Sequence, residues 1–265
     1  MNRRLKKIII VIVSLYVLIG VALYFLQTKM IFMPEPLPQD YSYSFSGDFE
    51  EINLKTVDGA VLNALHFKVE NPKGVILYFH GNAGELSRWG IVVQKFVEMD
   101  YDVLVMDFRG YGKSTGALSQ KALYNDAQLF YNLLQKNYSE NEIVVYGRSL
   151  GTTFATYVAA NNHPKQLILE APFYSLDEVA SERFPIYPVS WVLKYHFPTY
   201  KYLKEVSCPI LILHGTNDNV VNYKNSEKLS KIRTKGNLTF ITFPNGNHHD
   251  LVNYKLYKST LDSIL

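Results

Sequence analysis

The sequence predicts an α/β fold built on a mainly parallel sheet of eight strands, preceded by one membrane-spanning helix. Three observations carry this reading. From residue 75 onward, short runs that are apolar throughout alternate with helical patterns, as expected of strands buried on both faces between crossover helices. Ahead of them, two alternating runs flank Asp58-Gly59, a strong hairpin signal. Residues 8–26 form a 19-residue stretch without a charge, which as a helix covers about 28 Å and approaches the thickness of a bilayer's hydrocarbon core.

The N-terminal elements follow from charge and proline. Arg3, Arg4, Lys6 and Lys7 precede the apolar run, so the positive-inside rule places residues 1–7 in the cytoplasm as a basic flank and everything after the helix on the other side. The run is longer than the usual core of a signal peptide, and no A-x-A-like cleavage site follows it. Residues 8–26 therefore read as an uncleaved single-pass anchor. Pro34, Pro36 and Pro38 stand at alternate positions, a spacing that blocks a helix and favours stiff extended chain. Residues 27–50 are accordingly expected to form a stalk, and residues 51–265 one folded domain.

Composition narrows the classes. Of the 265 residues, 48% are hydrophobic and 19% charged, enough for a core and too apolar for disorder. The net charge of +3 becomes −1 without the four N-terminal cations, so no basic face for nucleic acid is implied. A single cysteine, Cys208, excludes an internal disulfide framework and a thiolate-rich zinc site.

Within the domain the hairpin strands fall at 52–56 and 61–68, and the buried strands at 75–79, 103–106, 143–146, 167–169, 210–213 and 238–243. Helical spacing marks 85–99, 119–137 with Ser119 as a plausible cap, and 152–161, with weaker helices at 224–232 and 250–265. Residues 171–208 break the alternation. The stretch is far longer than an ordinary connection, rich in aromatic residues, and cut by Pro172, Pro185, Pro188 and Pro198. It is expected to be a cap or lid over a site, with a packed helical layer as the alternative.

Gly147-Arg-Ser149-Leu-Gly151 fits G-x-S-x-G and lies between a buried strand and a helix, the setting that a strand–turn–helix nucleophile elbow requires. A serine nucleophile needs a base, and the base an orienting acid, which follow such an elbow in the order acid, then histidine. Asp218 lies just past the strand at 210–213, and His248 and His249 just past the strand at 238–243. Loops at the carboxyl ends of parallel strands face one crevice, so these residues can converge. Asp107 precedes the serine and Asp250 follows the histidines, so both rank below Asp218. His80 and His214 each precede a glycine at a strand end and are expected to bond within loops. His66, His163 and His196 stand alone, and no histidine pair has helical metal-ligand spacing, so no metal site is expected. The oxyanion hole would take the backbone N–H of Leu150 and a second from the small-residue loop 80–84, with Asn82 nominated and Ala83 the alternative.

Five motifs, HGNAG at 80–84, DFRGYGKSTG at 107–116, GRSLG at 147–151, APFYSL at 171–176 and PILILHGTNDNVV at 209–221, make residues 51–265 resemble the α/β-hydrolase superfamily. With the anchor and QTKMIFMP at 27–34, the chain is most similar to the membrane-anchored serine hydrolases related to protein depalmitoylases and monoacylglycerol lipases. The resemblance implies an α/β-hydrolase fold with a helical cap at about 171–208 and a triad of Ser149, Asp218 and His248. It also implies hydrolysis of a carboxylic ester or thioester through an acyl-enzyme, without a cofactor, on a small-molecule or lipid acyl substrate. In that branch the histidine usually follows a small residue in a G-H-N-D-like run. Here Asn247 replaces the glycine and His249 the asparagine. A serine peptidase or amidase, and a catalytically silent binding protein, share the scaffold. The intact triad weighs against the silent protein.

Overall fold

Helix α1 (Arg3–Ile31) contains the entire apolar run and extends beyond both of its ends. The computed structural model describes residues 2–265, and among them α1 is the one helix long and apolar enough to cross a membrane. Asn2 caps it by accepting a hydrogen bond from the Arg4 amide at 3.3 Å. Phe32 then turns into the domain core, 2% exposed, with its ring edge-on to Tyr195 and Phe197.

Of the expected stalk at 27–50, residues 27–31 complete α1 and 48–50 already belong to the first strand of the main sheet; the proline-bearing part between them is extended and lies along the domain. Met33–Pro34 pairs in parallel with Ala83–Gly84. The Leu37 amide donates to the Gly112 carbonyl at 2.9 Å, and the Gly112 amide to Glu35 at 3.1 Å. Gln39 Nε2 donates to the Lys113 carbonyl at 3.0 Å. Extended chain cannot bond to itself, so its free amides and carbonyls pair with loop backbone across the way. Farther on, Tyr43 donates to Asn63 Oδ1 at 3.0 Å. Helix α1 is thus joined to the domain by a docked strap.

The main sheet has eight strands: β1 (Asp48–Lys55), β2 (Val61–Lys68), β3 (Val75–Phe79), β4 (Asp102–Met106), β5 (Ile143–Arg148), β6 (Gln166–Glu170), β7 (Ile210–Gly215) and β8 (Leu238–Phe243). Their order is β8-β7-β6-β5-β3-β4-β2-β1. β1 and β2 form the expected antiparallel hairpin at one edge, β2 also runs antiparallel to β4, and the other pairings are parallel. β3 and β4 are buried at every position, which explains their unbroken apolar pattern.

Helices cover both faces. On one, α2 (Leu86–Val97) and the C-terminal α9 (Lys255–Ile264) bury Trp89, Val93, Phe96, Tyr257 and Leu261. On the other, α3 (Gln120–Leu134) and α4 (Gly151–Asn161) bury Leu123, Phe130, Phe154 and Val158. Ser119 caps α3 as expected, accepting from the Ala122 amide at 3.1 Å. The long insertion forms three short helices, α5 (Leu176–Arg183), α6 (Val189–Val192) and α7 (Thr199–Leu203). Pro188 and Pro198 sit just before α6 and α7, where a missing amide costs nothing. Lid and filler divide the insertion between them. Tyr195, Phe197, Leu203 and Val206 are core, whereas Ile186 and Trp191 are 71% and 87% exposed. Beyond α8 (Lys224–Ser230), the expected helix at 250–265 is split by a 3-10 turn at Leu251–Asn253 before α9 begins.

Phe32 fastens the end of α1 to the core, so Phe32→Ala is expected to cost about 3 kcal/mol or more. Thermal melting of the detergent-solubilised chain checks this: a drop of about 6 °C or more is expected, and an unchanged melting temperature would contradict the packing account.

Candidate active site

Strand β5 delivers Ser149 into a left-handed backbone turn, φ 51°. A non-glycine residue there carries strain of about 1–3 kcal/mol, and the surroundings enforce it. The Ser149 amide donates to the Glu170 carbonyl at 2.8 Å, and the Ser149 carbonyl accepts from the Thr152 amide at 3.0 Å. Both flanking glycines are obligatory for contact reasons. A Cβ at Gly147 would lie 2.6 Å from the Gly151 carbonyl oxygen, and one at Gly151 only 2.0 Å from that of Phe79. The turn can therefore press against the end of β3 only without side chains at these positions.

The chain brings three distant residues together here. His248 Nε2 is 3.0 Å from Ser149 Oγ, and His248 Nδ1 is 2.6 Å from Asp218 Oδ2. With a carboxylate on one ring nitrogen and a hydroxyl on the other, the neutral imidazole carries its proton on Nδ1 and offers Nε2 as acceptor. Of the adjacent histidines, His248 occupies the relay. His249 packs edge-on beside it with ring centroids 5.1 Å apart, and burial, with help from the neighbouring cations, lowers its pKa.

Asp218 is held from four directions. Oδ1 accepts the amides of Val220 and Val221 at 2.8 and 2.9 Å, and Oδ2 accepts from His248 and from His214 Nε2 at 3.0 Å. Burial alone would raise its pKa. The bonds from His214, His248 and the Val221 amide outweigh that and hold the carboxyl well below the usual range. His214 is fully buried and also bonds Ser226 Oγ at 2.6 Å, so it acts on the carboxylate from behind. It stands in β7, not in the loop that its place before a glycine suggests. Its one sequence signal was its position four residues before Asp218.

A second buried cluster supports the turn and was not visible in the sequence. Arg148 Nε lies 3.2 Å from Glu170 Oε1, and its Nη2 donates to the His248 carbonyl at 3.2 Å. Glu170 Oε2 accepts from Tyr146, and from Tyr257 at 3.1 Å. Burial pushes the Glu170 pKa up, but Arg148 and Lys95 more than compensate, and it is lowered. The variable x of G-x-S-x-G thus ties the serine turn to the histidine loop.

Asp107 is fully buried beside His80, whose Nε2 is 3.2 Å from its Oδ1 without hydrogen-bond alignment; burial raises its pKa. Asp250 bonds the Asn247 amide and side chain and so shapes the histidine loop. The loop at 80–84 runs beside the serine, with Gly81 placed so that a Cβ would meet Ser149 Cβ at 3.8 Å. The Asn82 peptide is fixed through its carbonyl, which accepts from Tyr111 Oη at 2.7 Å and from the Met33 amide at 2.9 Å. Leu150, Asn82 and Ala83 all border the same cavity as Ser149 and His248.

That cavity has a volume of about 630 Å³. Its walls are largely apolar and come from three sources: the sheet-end loops, the cap (Phe184, Val189, Leu193) and α1 itself (Leu23, Met30, Ile31). Arg88, Arg148 and Arg183 border it, and among the described residues no Asp or Glu does.

The sheet order, the strained serine turn after β5 and the acid and histidine after β7 and β8 define an α/β hydrolase. The sequence profile of the family described as "Serine aminopeptidase, S33" matches residues 70–205, and the chain belongs to that family. An uncharacterized protein of Acanthamoeba polyphaga mimivirus is 32% identical over 227 residues, covering 77% of this chain and 76% of its own. The lysophosphatidylserine lipase ABHD12 of Danio rerio is 28% identical over 280 residues, covering 85% of this chain and 72% of its own. Among solved structures, a Pyrococcus furiosus esterase superposes with a TM-score of 0.68 over 88% of this chain and 96% of its own, at 18% identity. At that identity the likeness speaks for the fold.

The depressed Asp218 pKa has a stability consequence. An unfolded Asp titrates near about 3.9, so the stabilisation from this carboxylate is fully present above that pH and is lost as pH falls through the lower folded value. The melting-temperature gap between wild type and Asp218→Asn should be widest near neutral pH and narrow as pH falls below about 4. A gap that stays constant with pH would contradict the assignment.

Proposed function

We propose that this chain is a membrane-anchored serine hydrolase of the esterase/lipase type, cleaving carboxylic esters or thioesters of a lipid-like acyl group. The observation that carries the reading is the unbroken relay from Asp218 through His248 to Ser149 Oγ, placed at the wall of a largely apolar cavity of about 630 Å³. Ser149 Oγ attacks the acyl carbonyl while its proton passes to His248 Nε2. Asp218 holds the imidazole in the required tautomer and stabilises its cation. The backbone amides of Leu150 and Asn82 receive the oxyanion. The tetrahedral intermediate collapses, the leaving oxygen or sulfur takes the proton from His248, and an acyl-enzyme remains. His248 then deprotonates a water that attacks the acyl carbonyl, releasing the carboxylic acid and regenerating Ser149. No step calls for a cofactor.

Residues 8–26 within α1 serve as the anchor, with residues 1–7 in the cytoplasm and the catalytic domain on the opposite side. The lipase named among the relatives and the apolar cavity walls support an acyl substrate. The family's description raises a second reading, an aminopeptidase. Such an enzyme must hold a substrate ammonium group, which calls for carboxylates in the pocket. The cavity instead carries arginines and, among the described residues, no acid, which favours the ester reading.

A fluorophosphonate probe tests the assignment, because labelling requires an activated serine and a working oxyanion site. Wild type should label and Ser149→Ala should not, and turnover of acyl esters should fall by about 10⁶-fold in the variant. Near-normal turnover by Ser149→Ala would refute the mechanism. Faster cleavage of aminoacyl amides than of long-chain esters would favour the peptidase.

A further inference from the structure

Residues 184–193 of the cap, FPIYPVSWVL, form a ten-residue stretch without a charge, bounded by Arg183 and Lys194. This stretch does not pack on the globular domain at its tip; it packs on α1. The Tyr187 ring stacks on Tyr16 with centroids 4.6 Å apart and planes 3° from parallel. Tyr16 Oη donates to the Ile186 carbonyl at 3.0 Å, and Tyr187 Oη to the Tyr16 carbonyl at 3.2 Å. Gly20 makes room for the Tyr187 ring. Nearer the domain, Gln27, the one buried residue of α1, donates through Nε2 to the Val192 carbonyl at 3.0 Å and accepts the Lys194 amide on Oε1 at 2.7 Å.

These contacts set a depth. Tyr16 is 15 residues before Ile31, or about 22 Å up the helix from its domain end. It also lies close to the middle of the uncharged run at 8–26. If α1 crosses a bilayer, residues 186 and 187 cannot be in water. Much of the backbone of the stretch is paired internally, which lowers the cost of placing it in hydrocarbon. Pro185 and Pro188 have no amide. The amides of Phe184, Tyr187, Val189, Trp191 and Leu193 all bond within the cap, and the carbonyls of Ile186 and Val192 are taken by α1 side chains. Lys194 closes the stretch with its Nζ 4.3 Å over the Tyr24 ring, where a cation and an aromatic ring suit the interface. Ile186 and Trp191 are highly exposed and do not line the cavity.

We infer that residues 184–193 are embedded in the hydrocarbon of the leaflet on the domain's side of the membrane, and that they and α1 form a portal through which a bilayer-resident acyl chain reaches Ser149 sideways, without crossing water. The cavity is walled on that side by α1 residues Leu23 and Met30 and cap residues Phe184 and Val189, so an acyl tail leaves the membrane already between them. The portal rests on the anchored-hydrolase reading above.

Full-length protein in phosphatidylcholine vesicles with mid-chain brominated tails tests the inference. The chain has two tryptophans, and the Trp191→Phe variant isolates the signal of the exposed one. The Trp191 component should be quenched by the brominated lipid and shielded from aqueous iodide. Quenching by iodide with none from the lipid would overturn the inference. Separately, Ile186→Asp and Trp191→Asp should lower kcat/KM on a long-chain ester held in vesicles by about tenfold or more. A short soluble ester and fluorophosphonate labelling should change by less than about twofold, because both side chains are exposed. Equal loss on both esters, or no loss on the vesicle ester, would count against the portal. The underlying reading fails differently: wild type that takes no fluorophosphonate, or that carbonate strips from membranes. A labelled, carbonate-resistant enzyme whose Trp191 answers only to iodide sinks the portal alone.

Discussion

The close approach of the Gly151 backbone to the end of β3 is the constraint on which the rest of the site depends. With no room for a Cβ between Gly151 and the Phe79 carbonyl, α4 starts hard against the sheet. The residue before this start must turn sharply out of β5, and Ser149 takes the left-handed conformation that results. The strain is local and is offset by what surrounds it. The bond from the Ser149 amide to Glu170 and the dense apolar packing of α4 fix the turn on two sides. The Ser149 hydroxyl is thereby held 3.0 Å from His248 Nε2.

Two buried polar clusters then hold His248. His214 and two amides immobilise Asp218, which fixes the His248 ring from one side. Arg148 and Glu170 hold the His248 backbone from the other. Each cluster is closed: its charges meet opposite charges or directed donors, which is what makes a buried ionic group tolerable. The same arrangement holds the Asp218 carboxyl well below the usual range and favours its ionised form.

The cap and α1 act as one body. Gln27, Tyr16 and Phe32 bind the helix to the cap and core at three heights, and the strap at 33–39 binds its exit to the loops beside the serine. Through Asn82, whose carbonyl and side chain both bond the helix exit, the geometry of the 80–84 loop is coupled to where α1 leaves the domain. α1, the cap and the 80–84 loop therefore share a single set of contacts.

Local pattern decided much of this in advance. Pattern located all eight strands, the hairpin pair by alternation and the central ones by continuous apolar runs that burial on both faces requires, and the G-x-S-x-G turn could be read because its glycines stand where a strand turns tightly into a helix. The order of acid and histidine after their strands followed from parallel topology. What the sequence alone could not decide involves partners far apart in the chain. His214 looks like any loop histidine until Asp218 and Ser226 close around it. Arg148 is a free position in its motif until Glu170 and the His248 carbonyl meet it. Gln27 reads as the first polar residue past a membrane span, and only folding places it against Val192 and Lys194. The prolines of 34–38 specify extended chain but not what lies beside it, since hydrogen bonds to a neighbouring loop leave no period in either strand of sequence. Side-chain type and spacing fix local conformation; which buried polar groups find each other is settled only when the sheet brings the loop ends to one face.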